Sequence, residues 1–250
     1  MENGVNVSKR LKFFLAHLTI SVCVAVVIVG IIFFMWYPSP LAKAVGVTDI
    51  FLMLLVVDII VGPILCLLIY KEEKKTLKLD LIIIITIQLA ALIYGIHSIA
   101  QGRPVWIVYN VDRFEVVRQN EVVTENILDV AEQYRQPSWF KPEFVGVEFS
   151  KDRKIRSNDL LVEALDGISL AQKPERYVPL NKTKNQIQHR TQDLAILEQY
   201  NDQERVRKIL VKYPQATGFV PLKSTAVDMT VLINKEEGRV VKIVDLHPWK

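Results

Sequence analysis

The apolar positions of this chain are concentrated in three long segments within the first hundred residues. The segments cover 13–36, 50–70 and 81–100, and the first and third contain no charged residue. A helix needs about 20 apolar residues to cross the hydrocarbon core of a bilayer, so each segment is long enough. The pattern predicts three transmembrane helices, preceded by a short N-terminal segment, 1–12, and followed by a water-facing domain, 101–250.

The first apolar segment could instead be a cleaved signal peptide, because basic residues precede it. Its length of about 24 residues exceeds the 7–15 residues of a signal-peptide apolar region. We therefore expect a retained membrane anchor.

The loops between the apolar segments differ in charge. Lys9, Arg10 and Lys12 precede the first segment, the loop after the second contains four lysines, and the loop between the first two contains only Lys43. Basic loops stay on the cytoplasmic side of a membrane. This bias predicts a multi-pass protein of a bacterial inner membrane, with a cytoplasmic N-terminus and a periplasmic C-terminal domain.

Two polar residues fall deep within the predicted spans. Asp58 lies about nine residues, or roughly 14 Å, into the second span, and Gln88 lies at a comparable depth in the third. A buried charge there is costly, so we expect Asp58 to form an interhelical hydrogen bond with Gln88 or Thr86. The alternative is a contact with a partner helix or a proton path. Gly62-Pro63 predicts a kink, since proline lacks a backbone donor.

The periodicity of the remaining 150 residues predicts an α+β domain with a small antiparallel sheet. Strands are predicted within 104–117, and a hairpin at 227–246 places Gly238 where its turn needs positive φ. We expect this hairpin to be fully paired within its own sheet. The alternative is an open edge that accepts a strand from a partner. Helices are predicted at 124–134, 157–165, 184–200 and 202–213.

The sequence contains no recognisable catalytic or cofactor-binding motif. Cys23 and Cys66 both lie in apolar segments, and the last 150 residues contain only two histidines, His189 and His247. This pattern predicts no enzyme activity, no cofactor and no metal site. The near balance of acidic and basic residues after residue 100 argues against nucleic-acid binding.

Several long strings of residues resemble the TfpX/TfpZ family of type IV pilin accessory proteins. They are WYPSPLAKAVGV at 36–47, IFLMLLVVDIIVGP at 50–63, GRPVWIVYNVDRF at 102–114, GFVPL at 218–222 and the ending at 240–249. The resemblance implies an inner-membrane protein that assists assembly or surface display of a cognate type IV pilin. It implies no catalytic residues.

Under this hypothesis the pilin is bound by segments near the outer membrane face, and the lipid bilayer and the pilus assembly machinery are further partners. The candidate contact residues are Trp36, Tyr37, Pro38, Pro40, Lys43, Arg103, Trp106, Asp112 and Arg113. A small transporter subunit or a receptor that senses a periplasmic ligand remains the alternative, and Asp58 would matter most there.

Overall fold

The computed structural model describes residues 8–71 and 74–249, which divide by their internal contacts into two units. Unit 1 comprises the described residues up to Met35 together with Val47–Gln101, and unit 2 comprises Trp36–Gly46 and Gly102–Lys250. Part of the predicted N-terminal segment and two positions of the second loop, 72 and 73, lie outside the described residues. The loop between the first two long helices thus belongs to the C-terminal unit.

Unit 1 contains three helices that are long and apolar enough to cross a membrane, Lys9–Trp36, Val47–Ile69 and Leu77–Gln101. The first consists of α1 (Lys9–Gly30) and a π-helical end, Ile31–Trp36. The second consists of α3 (Val47–Val56), a π-helical segment at Val57–Val61 and α4 (Gly62–Ile69). The third is the uninterrupted α5 (Leu77–Gln101). The three apolar segments of the sequence therefore form three helices, as predicted.

The irregularity predicted at Gly62-Pro63 takes the form of the π-helical segment just before it. Pro63 has no N–H to donate, so the regular hydrogen-bond ladder is interrupted in the preceding turn, and Asp58 lies inside that segment. At the other end of α4, the Arg10 side chain donates a 2.6 Å hydrogen bond to the carbonyl of Leu67. The start of the first helix therefore lies beside the end of the second.

Unit 2 is built on one mixed sheet of seven strands in the order β4-β3-β1-β2-β5-β6-β7. The strands are β1 (Pro104–Asn110), β2 (Arg113–Arg118), β3 (Glu143–Val147), β4 (Tyr177–Pro179), β5 (Gly218–Lys223), β6 (Met229–Asn234) and β7 (Arg239–Val244). The prediction of a small antiparallel sheet is wrong, because β1 pairs with β3 and β2 pairs with β5 in parallel. These pairings join segments distant in sequence, which local periodicity does not reveal.

The sheet carries apolar residues on both faces. Strand β1 is buried along its whole length, as its unbroken apolar pattern predicts. Ile107 and Tyr109 pack in one core with β5 and β6, whereas Trp106 and Val108 pack on the opposite face with β3 and Tyr177. The β6–β7 hairpin forms as predicted, with Gly238 at φ 59° in its turn.

The helices of unit 2 are short: α2 (Leu41–Ala44), α6 (Glu132–Arg135), α7 (Arg153–Asp166), α8 (Lys184–Arg190) and α9 (Gln203–Leu210). Helix α7 ends at Gly167 in the left-handed conformation, and α9 begins after Asp202, whose side chain caps Arg205 N. The end of α7 and the start of α9 lie close to the predicted ones, but α7 begins four residues before the predicted start and α9 ends three residues before the predicted end. The predicted helix 184–200 is wrong in length, because Gln192 leaves the helix to pair with Phe219. The prediction of a continuous helix at 124–134 is also wrong, because this region contains only a short 3-10 helix, Ile127–Asp129, and the start of the four-residue α6.

Candidate partner-binding surface

The loop Trp36–Gly46 is part of the core of unit 2. Leu41 and Ala44 are almost completely buried in the same core as Ile107 and the β5–β6 strands. The Ala44 carbonyl accepts hydrogen bonds from the backbone N–H groups of Ala226 and Val227, both at 3.0 Å, and it also accepts from a serine hydroxyl of the same turn. The sequence analysis proposed this loop as a partner-contact segment, and the structure also uses it as a packing element of the core.

An ion-pair network fixes the middle of this loop to the C-terminal end of the chain. Lys43 Nζ lies 2.7 Å and 2.9 Å from the two carboxylate oxygens of Asp245. Arg205 Nη2 approaches the same carboxylate at 2.6 Å. The Lys43 side chain is still 53% exposed. It therefore remains accessible to a partner while its position is held.

A groove of about 740 Å³ borders every residue from Glu237 to Ile243, and therefore almost the whole of β7. Its apolar wall includes Ile107, Phe144 and Leu180, and the loop contributes Pro38 and Pro40. The two prolines are partly buried, and the Ser39-Pro40 peptide bond is cis. Two predicted contact residues thus line a groove formed by segments far apart in the sequence.

Strand β7 is the last strand of the sheet, and no other strand in the described part of the chain pairs with its outer side. The expectation that the hairpin is fully paired within its own sheet is therefore wrong. The open edge presents backbone donors and acceptors, and an extended segment of another protein can pair with such an edge. The groove next to it provides room for the side chains of that segment.

The rim of the groove is mainly basic. Lys141, Lys184 and Lys242 are exposed there, and none of them forms an ion pair with another described residue. The acidic Glu237 is paired with Arg239 at 2.7 Å. The local charge therefore favours a segment that carries acidic side chains.

Trp36, Tyr37 and Arg103 lie in an aromatic cluster at the two ends where the chain enters unit 2. Trp36 packs against Trp139 with ring centroids 6.4 Å apart, and the Arg103 guanidinium lies 4.8 Å from the centre of the Trp139 ring. Burial raises the pKa of the Tyr37 hydroxyl, although the nearby positive charges of Arg118 and Arg103 oppose that shift. Burial likewise lowers the pKa of Arg103, opposed by its interaction with Tyr37.

The side chains of these three residues and of Trp106 are buried. They were expected to touch a partner directly, but burial leaves them little surface for such a contact. Trp106 is completely buried and packs edge-on against Tyr134 and Tyr177. Tyr37 is 1% exposed and Arg103 is 6% exposed. In this structure their side chains support the fold, and the accessible residues around them are the ones that offer contact surface.

Asp112 and Arg113 lie in the turn between β1 and β2, and the structure does not place them in the groove. Asp112 is exposed, and Arg113 forms ion pairs with Asp112 at 3.8 Å and with Glu115 at 3.3 Å. Asn110 Nδ2 donates to the same Glu115 carboxylate at 3.0 Å. The turn is a compact polar surface separate from the β7 groove.

In unit 1, Asp58 and Gln88 line one groove of about 320 Å³ together with His17. The remaining lining residues are almost all apolar. Among the described residues, no hydrogen bond joins the Asp58 side chain to Gln88 or to Thr86, so neither form of the predicted interhelical bond is present. Within the described chain, Gln88 Oε1 and His17 Nδ1 are buried without a hydrogen-bond partner.

The structure groups no set of three or more His, Cys, Asp or Glu side chains suited to a metal among the described residues. His189 is exposed on α8. A cavity of about 820 Å³ is lined by Asp159, Lys173 and Arg176, among other residues. Lys173 Nζ and Arg176 Nε lie 2.8 Å and 2.9 Å from the Asp159 carboxylate, so the three charges are paired with one another.

Sequence reasoning missed most of the residues that form the β7 groove. Strands β3 and β4 were not predicted, although Val145 and Val147 of β3 and Tyr177 of β4 are buried. The apolar residues of β3, Phe144, Val145 and Val147, were only a weak signal for a strand. Their position beside β1 depends on a parallel pairing that the sequence alone does not specify.

The family described as FimB, fimbrial assembly protein FimB, matches residues 5–46, which cover the first long helix and the loop. The fimbrial assembly protein of Dichelobacter nodosus serogroup I is 29% identical over 72% of this chain and 70% of its own length. That of serogroup E1 is 28% identical over the same shares.

A third relative, the fimbrial assembly protein of Dichelobacter nodosus serogroups C1 and C2, is 32% identical over 44% of this chain and 86% of its own length. No solved structure matches this chain. The resemblance to type IV pilin accessory proteins is therefore confirmed, and the chain belongs to the fimbrial assembly protein family.

Proposed function

We propose that this protein is an inner-membrane accessory protein of type IV pilus biogenesis that binds its cognate pilin without catalysis. Similarity to fimbrial assembly proteins supports the role in pilus biogenesis. The observation that carries the binding role is the groove along the open edge of β7, lined in part by the Pro38–Pro40 turn. By this binding the protein assists assembly or surface display of the pilin.

The charge distribution supports a cytoplasmic N-terminus and a periplasmic unit 2. The hydrogen bond from Arg10 to Leu67 brings the basic start of the first helix beside the end of the second. Lys71, Lys74, Lys75 and Lys78 follow that end, so basic residues gather at one end of the helices. Under the positive-inside bias this end faces the cytoplasm.

Because this protein and the pilin are held in the same membrane, weak contacts between them are sufficient for binding. A pilin that awaits assembly is anchored in the same membrane by one apolar helix, with its head in the periplasm. Confining both proteins to one bilayer raises their effective concentration, in the way that a linker does. The groove and the exposed side chain of Lys43 can therefore hold the pilin head without a large interface.

The occupant that we propose for the groove is an extended acidic segment of the pilin head. Its backbone would pair with β7, its apolar side chains would face Phe144 and Leu180, and its acidic groups would face Lys184 and Lys242. An extended partner suits an edge strand because the backbone of that edge supplies the hydrogen bonds.

Photo-crosslinking in pilus-producing cells tests this proposal. A photoreactive residue is placed at Lys242 or Lys184 beside the groove, and at Leu165 on α7 as the exposed control. We expect pilin adducts from the two groove positions and none from position 165. Adducts of equal yield from all three positions, or from none at normal protein levels, would contradict binding at the groove.

Charge reversal provides the functional readout. Lys184→Glu combined with Lys242→Glu is expected to reduce both pilin crosslinking and the number of surface pili, because it repels the acidic segment. Lys208→Glu is the matched control, since Lys208 is an exposed residue of α9 that pairs only with Glu204 one turn away. Equal loss of pili in both variants would indicate a general surface effect and count against the groove.

A small transporter subunit or a receptor for a periplasmic ligand is the second candidate. The observation that favours it is the groove in unit 1, where Asp58, Gln88 and His17 are brought together among apolar side chains. Polar groups within membrane helices often mark ion paths. The two candidates differ in how much they depend on Asp58, which allows them to be separated.

A further inference from the structure

The segment 136–142 exposes two large aromatic side chains at the surface of unit 2. Trp139 is 65% exposed and Phe140 is 62% exposed. They are the exposed large aromatic residues among the described residues of this unit. The segment joins α6 to β3 and contains Pro137 and Pro142 near its two ends. Within it, Phe140 N donates to the Ser138 hydroxyl.

Trp139 contacts both places where the chain passes from a long helix into unit 2. Its ring packs on Trp36, the last residue of the first helix, and under the guanidinium of Arg103. Arg103 follows Gln101, the last residue of the third helix, by two positions. With 3.8 Å between consecutive Cα atoms, the Cα atoms of these two residues are at most about 8 Å apart.

A helix that crosses a bilayer ends at the headgroup region. Since Trp139 touches residues at or next to two such ends, the segment 136–142 lies at the level of the headgroups when these helices span a membrane. Burial of tryptophan and phenylalanine rings at the edge of the hydrocarbon is favourable, and aromatic residues concentrate in this zone. Lys141 is exposed beside them and suits anionic headgroups.

We infer that the segment 136–142 is a membrane-interface anchor, which inserts Trp139 and Phe140 into the headgroup region of the bilayer that holds the helices. The anchor adds a third attachment to the two covalent connections of unit 2. Three attachments restrict rotation of the unit about its connections, and they hold this face of the unit toward the lipid. The inference does not depend on pilin binding.

Site-directed spin labelling of the full chain in vesicles of phosphatidylethanolamine and phosphatidylglycerol tests it. The two native cysteines are replaced, and a single label is placed at position 139, 140, 165 or 211. Leu165 and Val211 are exposed apolar residues on α7 and at the end of α9, and they serve as controls. We expect labels at 139 and 140 to be more accessible to oxygen than to a water-soluble nickel complex, and the control labels to show the reverse.

Equal accessibility to the water-soluble complex at all four positions would overturn the inference. A second measurement covers the case in which the labelled variants fail to fold. Tryptophan fluorescence of the unlabelled protein is quenched with lipids brominated near the headgroup. Trp139→Phe should lose part of the quenchable emission, whereas Trp249→Phe should lose only unquenched emission. An unchanged quenchable fraction in Trp139→Phe would also exclude the anchor.

Discussion

Lys43 and Asp245 form an ion pair of 2.7 Å although they are 202 positions apart in the chain. The first lies in the loop between two long helices, and the second lies four residues before the end of the described chain. Their contact connects the loop Trp36–Gly46 to the residue that follows the last strand of the sheet. The loop that a membrane topology treats as a short connection is therefore a structural part of the C-terminal domain.

Asp245→Asn is expected to lower the free energy of unfolding of unit 2 by about 1 kcal/mol, since it removes two partly exposed ion pairs, each of which contributes a fraction of that value. The loss should shrink as salt screens the pairs in the wild type. Thermal unfolding of the detergent-solubilised chain at low and high ionic strength measures it. Glu204→Gln, which removes only the exposed pair with Lys208, is the control and should have little effect.

Leu41→Ala is expected to destabilise unit 2 by about 2–4 kcal/mol, because Leu41 is 2% exposed and its truncation leaves a cavity in the core. Leu165→Ala removes the same atoms from a residue that is 74% exposed and should be nearly neutral. The measurement is unfolding in denaturant, monitored by the near-ultraviolet signal of the aromatic residues. A neutral Leu41→Ala would show that the loop does not belong to this core.

Asp159→Asn is expected to cost about 3 kcal/mol at neutral pH, because it leaves the nearly buried Lys173 ammonium without its carboxylate. Burial raises the pKa of Asp159, but hydrogen bonds and charges from Arg176 and Lys173 outweigh this and lower it below its ordinary value. The resulting stabilisation is present above the pKa of the unfolded state. It is lost as the pH falls toward the lower folded pKa.

Unfolding curves at several pH values check this prediction. The wild type should lose stability on acidification below about pH 4, where unfolded aspartate takes up a proton, and Asp159→Asn should lack this component of the loss. Asp166→Asn, on the exposed end of the same helix, should follow the wild-type profile. A wild-type profile in Asp159→Asn would show that the triad does not contribute to acid sensitivity.

Gly62→Ala is expected to disturb unit 1, because a Cβ at this position would overlap the side-chain amide of Gln88. The overlapping amide is the end of a flexible side chain that can move aside, so we expect a cost of about 1 kcal/mol, at the lower end of the range for overpacking. In a Gln88→Ala background the same substitution should be nearly neutral, since the overlapping group is gone. Unfolding titrations in mixed detergents of the two single variants and the double variant give the coupling energy. Additive effects would mean that the two residues are not in contact.

Asp58→Asn separates the two candidate functions. Pilin assistance should largely survive, because asparagine keeps the shape and polarity of the side chain in the groove of unit 1. A proton path or an ion-coupled transporter should lose activity, since the carboxyl group can no longer change its charge. The number of surface pili is the measurement. A loss of pili comparable to deletion of the gene, with normal protein levels, would favour the second candidate.

The three long helices were predictable because each depends only on a continuous apolar run, and the turn at Gly238 was predictable because one residue type dictates it. The order of the strands in the sheet was not predictable from the sequence. It depends on parallel pairings such as β2 with β5, where Phe114 meets Leu222 across more than a hundred residues of sequence. The local pattern of each strand allows many partners.

The candidate surface was predictable only in part for the same reason. The turn at Pro38 and Pro40 attracted attention through its composition, and it does line the groove. The sequence gives no sign that Trp106 and Arg103 point inward, because an apolar strand in a membrane protein can equally well face a partner. Their burial is decided by Tyr134, Tyr177 and Trp139, whose positions depend on the complete fold.

The placement of Leu41 and Ala44 in the core has a consequence for the order of events during synthesis. These residues leave the ribosome before the second and third helices, whereas Met229, Val231 and Asp245, which surround or pair with their loop, are made last. The domain therefore cannot close until translation is almost complete and both of its pieces have reached the same compartment. A fragment that starts after the third helix would lack part of its own interior.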